Sequence, residues 1–150
     1  MVCWGNICRS PTAEGILRHL AKERGLAIQV DSAGTSDEEK GSPPHPRAIA
    51  EAAGRGIDIS DQRARQIHRS DFHEFDLILT ADEVVDRRVR RQAPAGSTAR
   101  IMRMTEALAD FDRYPDVPDP YHGDAGVYRD TYDLLERAMN ALLESLNAET

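Results

Sequence analysis

The sequence predicts a doubly wound α/β fold, with helices on both faces of a mostly four-stranded parallel sheet whose first strand is unusually short. Short apolar segments alternate along the chain with longer segments whose apolar residues recur at helical spacing. Because parallel strands need long crossover connections, such alternation is typical of βαβ units. We expect residues 1–150 to form a single domain, a length that buries about two-thirds of the unfolded surface.

The beginning of the chain predicts a truncated strand followed by a helix. Only Met1 and Val2 precede Cys3, whereas an ordinary strand has about five residues. A helix is expected from about residue 11, because Ser10 can cap it and the missing N–H of a following proline is harmless there. Gly25 suits the end of this helix.

The same two patterns, together with Gly/Pro punctuation, predict the remaining elements. They are strands at 27–32, 75–80 and 99–104, helices at 48–53, 82–92 and 128–146, and loops at 41–46 and 112–126.

The composition excludes several classes of partner. A net charge of -7 disfavours nucleic acid and anionic membranes, so any phosphate chemistry requires a local positive site. No apolar run approaches the roughly 18–20 residues of a membrane span, and residues 1–6 do not resemble a signal peptide. Cys3 and Cys8 are too few for a disulfide scaffold. We therefore expect a cytoplasmic protein.

Residues 3–10 lie where a strand should pass into a helix, so their backbone N–H groups can converge on an anion. A cysteine at such a ring and near a guanidinium is stabilised as a nucleophilic thiolate. Five residues separate Cys3 from Arg9, which lets the loop curl around one phosphate whose oxygens the planar guanidinium binds. The Ser10 hydroxyl can donate to the thiolate or cap the helix, and the two roles are compatible.

Residues 2–11 read VCWGNICRSP and resemble the phosphate loop of the low-molecular-weight protein tyrosine phosphatases. The resemblance continues in family order over essentially the whole chain, through residues 31–36, 46–48, 63–67, 71–76 and 116–121.

The resemblance implies hydrolysis of phosphotyrosine through a phosphocysteine on Cys3. Arg9 would hold the phosphate, and Asp119 would act first as acid and then as base. No metal or other cofactor is implied, and the five histidines lack ligand-like spacing with cysteines or carboxylates. The expected partner is a phosphotyrosine-containing protein, with a tyrosine kinase as one candidate, and the expected state is a monomer or weak dimer.

The resemblance also implies a set of substrate-binding residues, comprising Trp4, Gly5, Asn6, Ile7, Cys8, Ser10 and Tyr121. Local chemistry alone leaves alternatives for several members. Asn6 suits a left-handed turn and would order the loop with help from Ser32. Tyr121 is either an ordinary half-buried aromatic residue or one wall of the slot for the substrate ring. Cys8 is either a small buried hydrophobe or a thiol that forms a reversible disulfide with oxidised Cys3.

The acid is likewise ambiguous from local chemistry. Asp119 precedes a proline and could be a turn former, while Asp116 and Asp124 are equally available carboxylates. The family register favours Asp119.

The sequence departs from the family at three places. Residues 36–40 carry charges where many relatives have an aromatic residue, and we interpret Trp4 as the replacement ring, the alternative being that it only packs over the loop. Near the third strand, Asp82 is retained although its neighbours differ. The short first strand predicts either a natural start upstream of Met1 or a destabilised sheet with reduced activity.

Three rival functions remain to be weighed. Arsenate reduction uses a similar loop but needs further cysteines beyond Cys3 and Cys8. Phosphoarginine hydrolysis is associated with a threonine where this chain has the apolar Ile7. A catalytically impaired phosphotyrosine-binding module is consistent with the short strand and the altered walls.

Overall fold

The strands of the computed structural model are β1 Val2–Cys3, β2 Ala33–Gly34, β3 Leu77–Thr80 and β4 Arg100–Arg103. Within residues 1–149, which the structure describes, they form one four-stranded parallel sheet in the order β2–β1–β3–β4. The helices are α1 Arg9–Glu23, α2 Pro46–Gly54, α3 Asp71–Glu74, α4 Glu83–Gln92 and α5 Ala125–Ala148. This architecture confirms the predicted fold class, including the short first strand.

Helices cover both faces of the sheet, because successive residues of a strand point to opposite sides. In β3, Leu79 belongs to the larger core, which α1, α2 and α5 close. Ile78 belongs to a smaller core on the other face, against Val89 of α4. The two residues of β1 divide in the same way, with Cys3 in the larger core and Val2 in the smaller one.

The first helix begins at Arg9, two residues earlier than predicted, and Ser10 is not its cap. The cap position is Cys8, whose side chain makes no hydrogen bond to the first turn. Ser10 lies inside that turn, and its hydroxyl is 3.0 Å from Cys3 Sγ. The capping interpretation was therefore wrong, while the interaction with the sulfur is present.

Residues 27–32 do not form the strand that their sequence predicts, and only Ala33–Gly34 pairs with β1. The physical reason is the length of β1. The Met1 amino group donates to Asp31 O at 2.9 Å, and strand pairing ends there. Residues 27–30 therefore have no strand beside them on that side, although their propensity favours one.

A groove of about 640 Å³ continues the line of β1 beyond Met1. Residues 27–31 form one side and residues 75–77 the other, and α5 adds an apolar wall through Leu142, Leu143 and Leu146. Burial lowers the pKa of the Met1 amino group to about 6, with Glu14 and Asp31 acting in the opposite direction.

The other predicted strands and helices are present, with boundaries shifted by a few residues. The single turn of α3 was not predicted, because four residues are too few for a periodic signal. No helix in the part of the chain that the structure describes is long and apolar enough to cross a membrane.

An extension of five apolar, β-forming residues joined to Met1 should stabilise the protein. It would fill the groove beside β1, pair with residues 27–31 and remove the buried amino group. We expect the Tm at pH 7 to rise by at least about 5 °C in scanning calorimetry. The pKa of the Met1 amino group is 8.0 in the free chain and about 6 in the folded protein. Burial of the charged amino group therefore opposes folding most strongly below pH 6, and the gain in Tm should be largest there.

The control is a Gly/Ser extension of equal length, which also removes the amino group from its buried position but cannot fill the groove. Equal Tm values for the two extended proteins would contradict the role assigned to the groove.

Candidate active site

The loop from Cys3 to Arg9 joins the carboxyl end of β1 to the first turn of α1, the place where open parallel sheets bind ligands. Asn6, in its middle, has φ 59°, in the left-handed region that asparagine tolerates better than most residues. The Asn6 backbone N–H donates to Cys3 Sγ at 3.3 Å. The loop therefore curls around the sulfur.

The Asn6 side chain ties this loop to two other segments. Its amide nitrogen donates to Ser10 Oγ at 2.7 Å and to Ser32 Oγ at 2.9 Å. Its amide oxygen accepts from the backbone N–H of Arg65 at 3.0 Å. Asn6 is only 3% exposed, so these contacts support the loop from behind, with the help from Ser32 that the sequence suggested.

The Ser10 hydroxyl lies between Asn6 and the sulfur, 3.0 Å from Cys3 Sγ. Ser10 Oγ accepts from the Asn6 amide, which leaves its own hydrogen free for the sulfur. When Cys3 is a thiolate, the Ser10 hydroxyl and the Asn6 backbone N–H both donate to its sulfur. Two donors on a sulfur stabilise its anionic form.

The Arg9 guanidinium is almost completely buried and held on one side. Its Nη1 donates to Asp82 Oδ2 at 2.6 Å and to Val117 O at 2.9 Å. The other terminal nitrogen, Nη2, lies 3.8 Å from Asp119 Oδ2. Burial alone would lower the pKa of Arg9, but nearby Cys3, Asp82 and Asp119 together raise it, so the group is a permanent cation.

A cavity of about 250 Å³ opens over the loop. Most of the predicted site residues line it, namely Cys3, Trp4, Gly5, Ile7, Cys8, Arg9, Asp119 and Tyr121. The two remaining predicted residues, Asn6 and Ser10, both contact the Cys3 sulfur, and the Asn6 side chain also donates to the Ser10 hydroxyl. A sulfur, a guanidinium and a carboxylate therefore border one space.

The three candidate acids are separated by the structure. Asp119 lines the cavity, and its side chain is 53% exposed. Asp116 accepts from the Glu83 N–H and pairs with Arg103 at 2.8 Å, which occupies it in the support of α4. Asp124 caps α5 by accepting from the Val127 N–H. Only Asp119 of the three is positioned to meet a ligand in the cavity.

Two aromatic side chains, Trp4 and Tyr121, line the cavity. Trp4 lines the cavity, and the Arg88 guanidinium lies 4.5 Å from its ring centroid, a cation–π contact that orients the indole. Tyr121 is 44% exposed and packs edge-on against His45, with a centroid distance of 5.7 Å. Both rings are available to flank an aromatic ligand.

Cys8 is buried, and its Sγ lies 3.3 Å from the hydroxyl of Tyr128. Burial raises the pKa of the Cys8 thiol to about 12, so it is protonated at neutral pH. A protonated thiol is a poor nucleophile. This favours the interpretation of Cys8 as a small buried residue over that of a partner for oxidised Cys3, and both cysteines are free.

Sequence reasoning missed several cavity residues. Glu38, Glu39 and His122 line the cavity, and the Val117 carbonyl fixes Arg9, yet none lies in the loop motif. Their loops reach the site only through the fold. Within residues 1–149, no group of three or more His, Cys, Asp or Glu side chains is arranged to hold a metal ion.

Comparisons with known proteins give consistent results. A family model described as low molecular weight phosphotyrosine protein phosphatase matches residues 1–150. The low molecular weight protein-tyrosine-phosphatase YfkJ of Bacillus subtilis is 37% identical over 150 residues, covering 99% of this chain and 94% of YfkJ.

Two solved structures show the same fold. A protein tyrosine phosphatase from Entamoeba histolytica, with Hepes in its active site, superposes with a TM-score of 0.92 at 30% identity, over 99% of this chain and 95% of that one. DARP, a drosophila arginine phosphatase, superposes with a TM-score of 0.92 at 28% identity, over 97% and 94%.

Gly34 is predicted to be essential for the shape of the loop. A Cβ added there would lie 2.8 Å from Trp4 O and 3.1 Å from the carbonyl carbon of Gly5, which are backbone atoms that cannot move independently. We expect Gly34→Ala to lower the free energy of unfolding by roughly 1–3 kcal/mol, measured by urea denaturation. Gly54→Ala is the matched control, because nothing lies within 4 Å of a Cβ at that position. Equal stability of the two variants would contradict the close approach.

Proposed function

The chain belongs to the low molecular weight phosphotyrosine protein phosphatase family and is a protein tyrosine phosphatase, and we propose that it hydrolyses phosphotyrosine through a phosphocysteine on Cys3. The observation that carries this proposal is the meeting of Cys3 Sγ, the Arg9 guanidinium and the Asp119 carboxylate at one cavity. A nucleophile, a phosphate-binding cation and a proton donor are the groups that the reaction needs.

In the first step, Cys3 Sγ attacks phosphorus in line, so that an S–P bond forms as the bond from phosphorus to the tyrosyl oxygen breaks. Arg9 and the N–H groups of the loop bind the equatorial oxygens, where charge accumulates in the transition state. Protonated Asp119 transfers its proton to the departing tyrosyl oxygen, which leaves as neutral tyrosine.

In the second step, water attacks the phosphorus of the phosphocysteine. Asp119, now a carboxylate, accepts a proton from that water as the P–S bond breaks. The products are inorganic phosphate and the Cys3 thiolate, which the Ser10 hydroxyl and the Asn6 N–H again stabilise. One carboxylate thus serves both steps.

The fixed orientation of Arg9 supports this assignment. Arg9 Nη1 donates to Asp82 and to the Val117 carbonyl, and Nη2 lies near Asp119. Because the guanidinium is already ordered, little entropy is lost when it binds phosphate.

The rim favours an aromatic leaving group. Trp4 and Tyr121 offer ring faces, and Ile7 adds apolar surface at the position where phosphoarginine hydrolysis is associated with a threonine. Arsenate reduction needs further thiols, and the sequence has no cysteine besides Cys3 and Cys8.

We also propose a cytoplasmic location, which suits two free thiols, and a single domain that acts on a phosphotyrosine-containing protein as a monomer or weak dimer. A tyrosine kinase is one candidate for that substrate.

Replacement of the nucleophile tests the enzymatic assignment. Cys3→Ser should abolish turnover of p-nitrophenyl phosphate and phosphotyrosine, while phosphotyrosine binding measured by calorimetry persists, because Arg9 and the loop remain. Turnover in Cys3→Ser would refute the phosphocysteine. Binding without turnover in the unaltered protein would instead indicate a binding module.

Replacement of the acid tests its assignment separately. Asp119→Asn should lower kcat for phosphotyrosine by about 10²–10⁴-fold, and the fall in rate at high pH, where the acid loses its proton, should disappear from the pH profile. The control is Asp116→Asn, the same chemical change in a carboxylate that supports α4. In this variant the rate should still fall at high pH, as in the unaltered protein. An unchanged profile in Asp119→Asn would reassign the acid.

A further inference from the structure

A second groove, of about 460 Å³, opens beside the active-site cavity. Its surface is mostly apolar and comes from the start of α2 and the segment before it. We call its apolar part the proline shelf, formed by Pro43, Pro44, Pro46, Ile49 and Ala50.

The proline shelf is continuous with the active site. Ile7, Glu39 and Tyr121 line both the cavity over Cys3 and the groove. A side chain next to a phosphotyrosine in the cavity can therefore reach the shelf past Tyr121 or Ile7. Continuity with the site makes the substrate itself the occupant that the geometry favours.

The proline shelf is held in a fixed position relative to the phosphate loop. The His45 N–H donates to Ile7 O at 2.8 Å, which joins the shelf directly to the loop. Arg47, on α2, donates to the Gly123 carbonyl, which joins α2 to the segment that carries Tyr121. Three prolines further restrict the backbone, so a ligand orders little on binding.

Carboxylates mark the junction of the two grooves. Glu39 is half-buried, its Cγ lies 3.5 Å from where a Cβ on Gly5 would be, and its Oε2 accepts from Ser42 Oγ at 3.3 Å. Glu38 also lines the cavity. An acidic residue of a substrate at this junction would face like charges.

We propose that the proline shelf binds a large apolar side chain close to the phosphotyrosine in the substrate protein, and that Glu39 disfavours an acidic residue at the same place. This inference rests on the proposed function, because it takes the cavity over Cys3 as the phosphotyrosine site. The substrate class is thus a phosphotyrosine segment with a neighbouring leucine, isoleucine or phenylalanine.

The test uses phosphotyrosyl peptides that differ only by Leu, Ser or Glu at one position, placed one or two residues before or after the phosphotyrosine. At the position that reaches the shelf, Leu should give about tenfold higher kcat/KM than Ser, expressed mainly in KM, and Glu should rank below Ser. The same series is measured as Kd for the Cys3→Ser protein, so that the preference is tested independently of turnover.

Two Ala→Glu variants of exposed residues localise the effect. Ala50→Glu places a charge in the shelf and should abolish the Leu-over-Ser preference. Ala109→Glu makes the same change in an exposed turn that shares no lining residue with the shelf, and it should keep the preference. Glu39→Gln should bring the Glu peptide closer to the Ser peptide.

A preference in kcat/KM or Kd that Ala50→Glu removes and Ala109→Glu keeps supports the proposal. Equal Kd values for Leu and Ser at all four positions overturn it, as does a preference that survives in Ala50→Glu. Absence of p-nitrophenyl phosphate turnover by the unaltered protein would overturn the proposed function, while the Kd series would still decide on the shelf.

Discussion

The Arg9–Asp82 ion pair is the contact on which the site depends. It joins the first turn of α1 to the residue that caps α4, and so spans the two helices that follow the central strands. A buried cation is costly without a partner, and this one has Asp82, a carbonyl and the site itself. An acidic protein thereby maintains one permanently positive position at the edge of its sheet.

The loop around Cys3 is held in a similar way by residues distant in sequence. Asn6 bridges to Ser10, Ser32 and the backbone of Arg65, and Gly34 lets β2 approach the loop backbone closely. The strained conformation at Asn6 persists because three segments hold it, which is how proteins retain functional loops that local preferences disfavour. The shape of the loop is therefore a property of the fold.

Most of the fold was predictable because its long helices have clear apolar periodicity and its third strand is a clear apolar segment, while the signal for the fourth strand is weaker. The strand at 27–32 was not, since pairing depends on a neighbour and β1 is too short to provide one. Ser10 was expected both to contact the Cys3 sulfur and to cap α1, and only the contact is present, because the helix begins one residue before Ser10. The resemblance located Cys3, Arg9 and Asp119 in the sequence, whereas Glu38, Glu39 and the Val117 carbonyl required tertiary structure, because they enter the site from loops without a motif.

The position of Trp4 has an optical consequence. It is the only tryptophan in the sequence, it borders the space where a ligand would sit, and it lies under a guanidinium. Its fluorescence therefore originates from a single indole beside the cavity that Cys3 lines, without interference from other tryptophans. The protein carries a built-in, label-free reporter for rapid-mixing measurements of ligand entry and release.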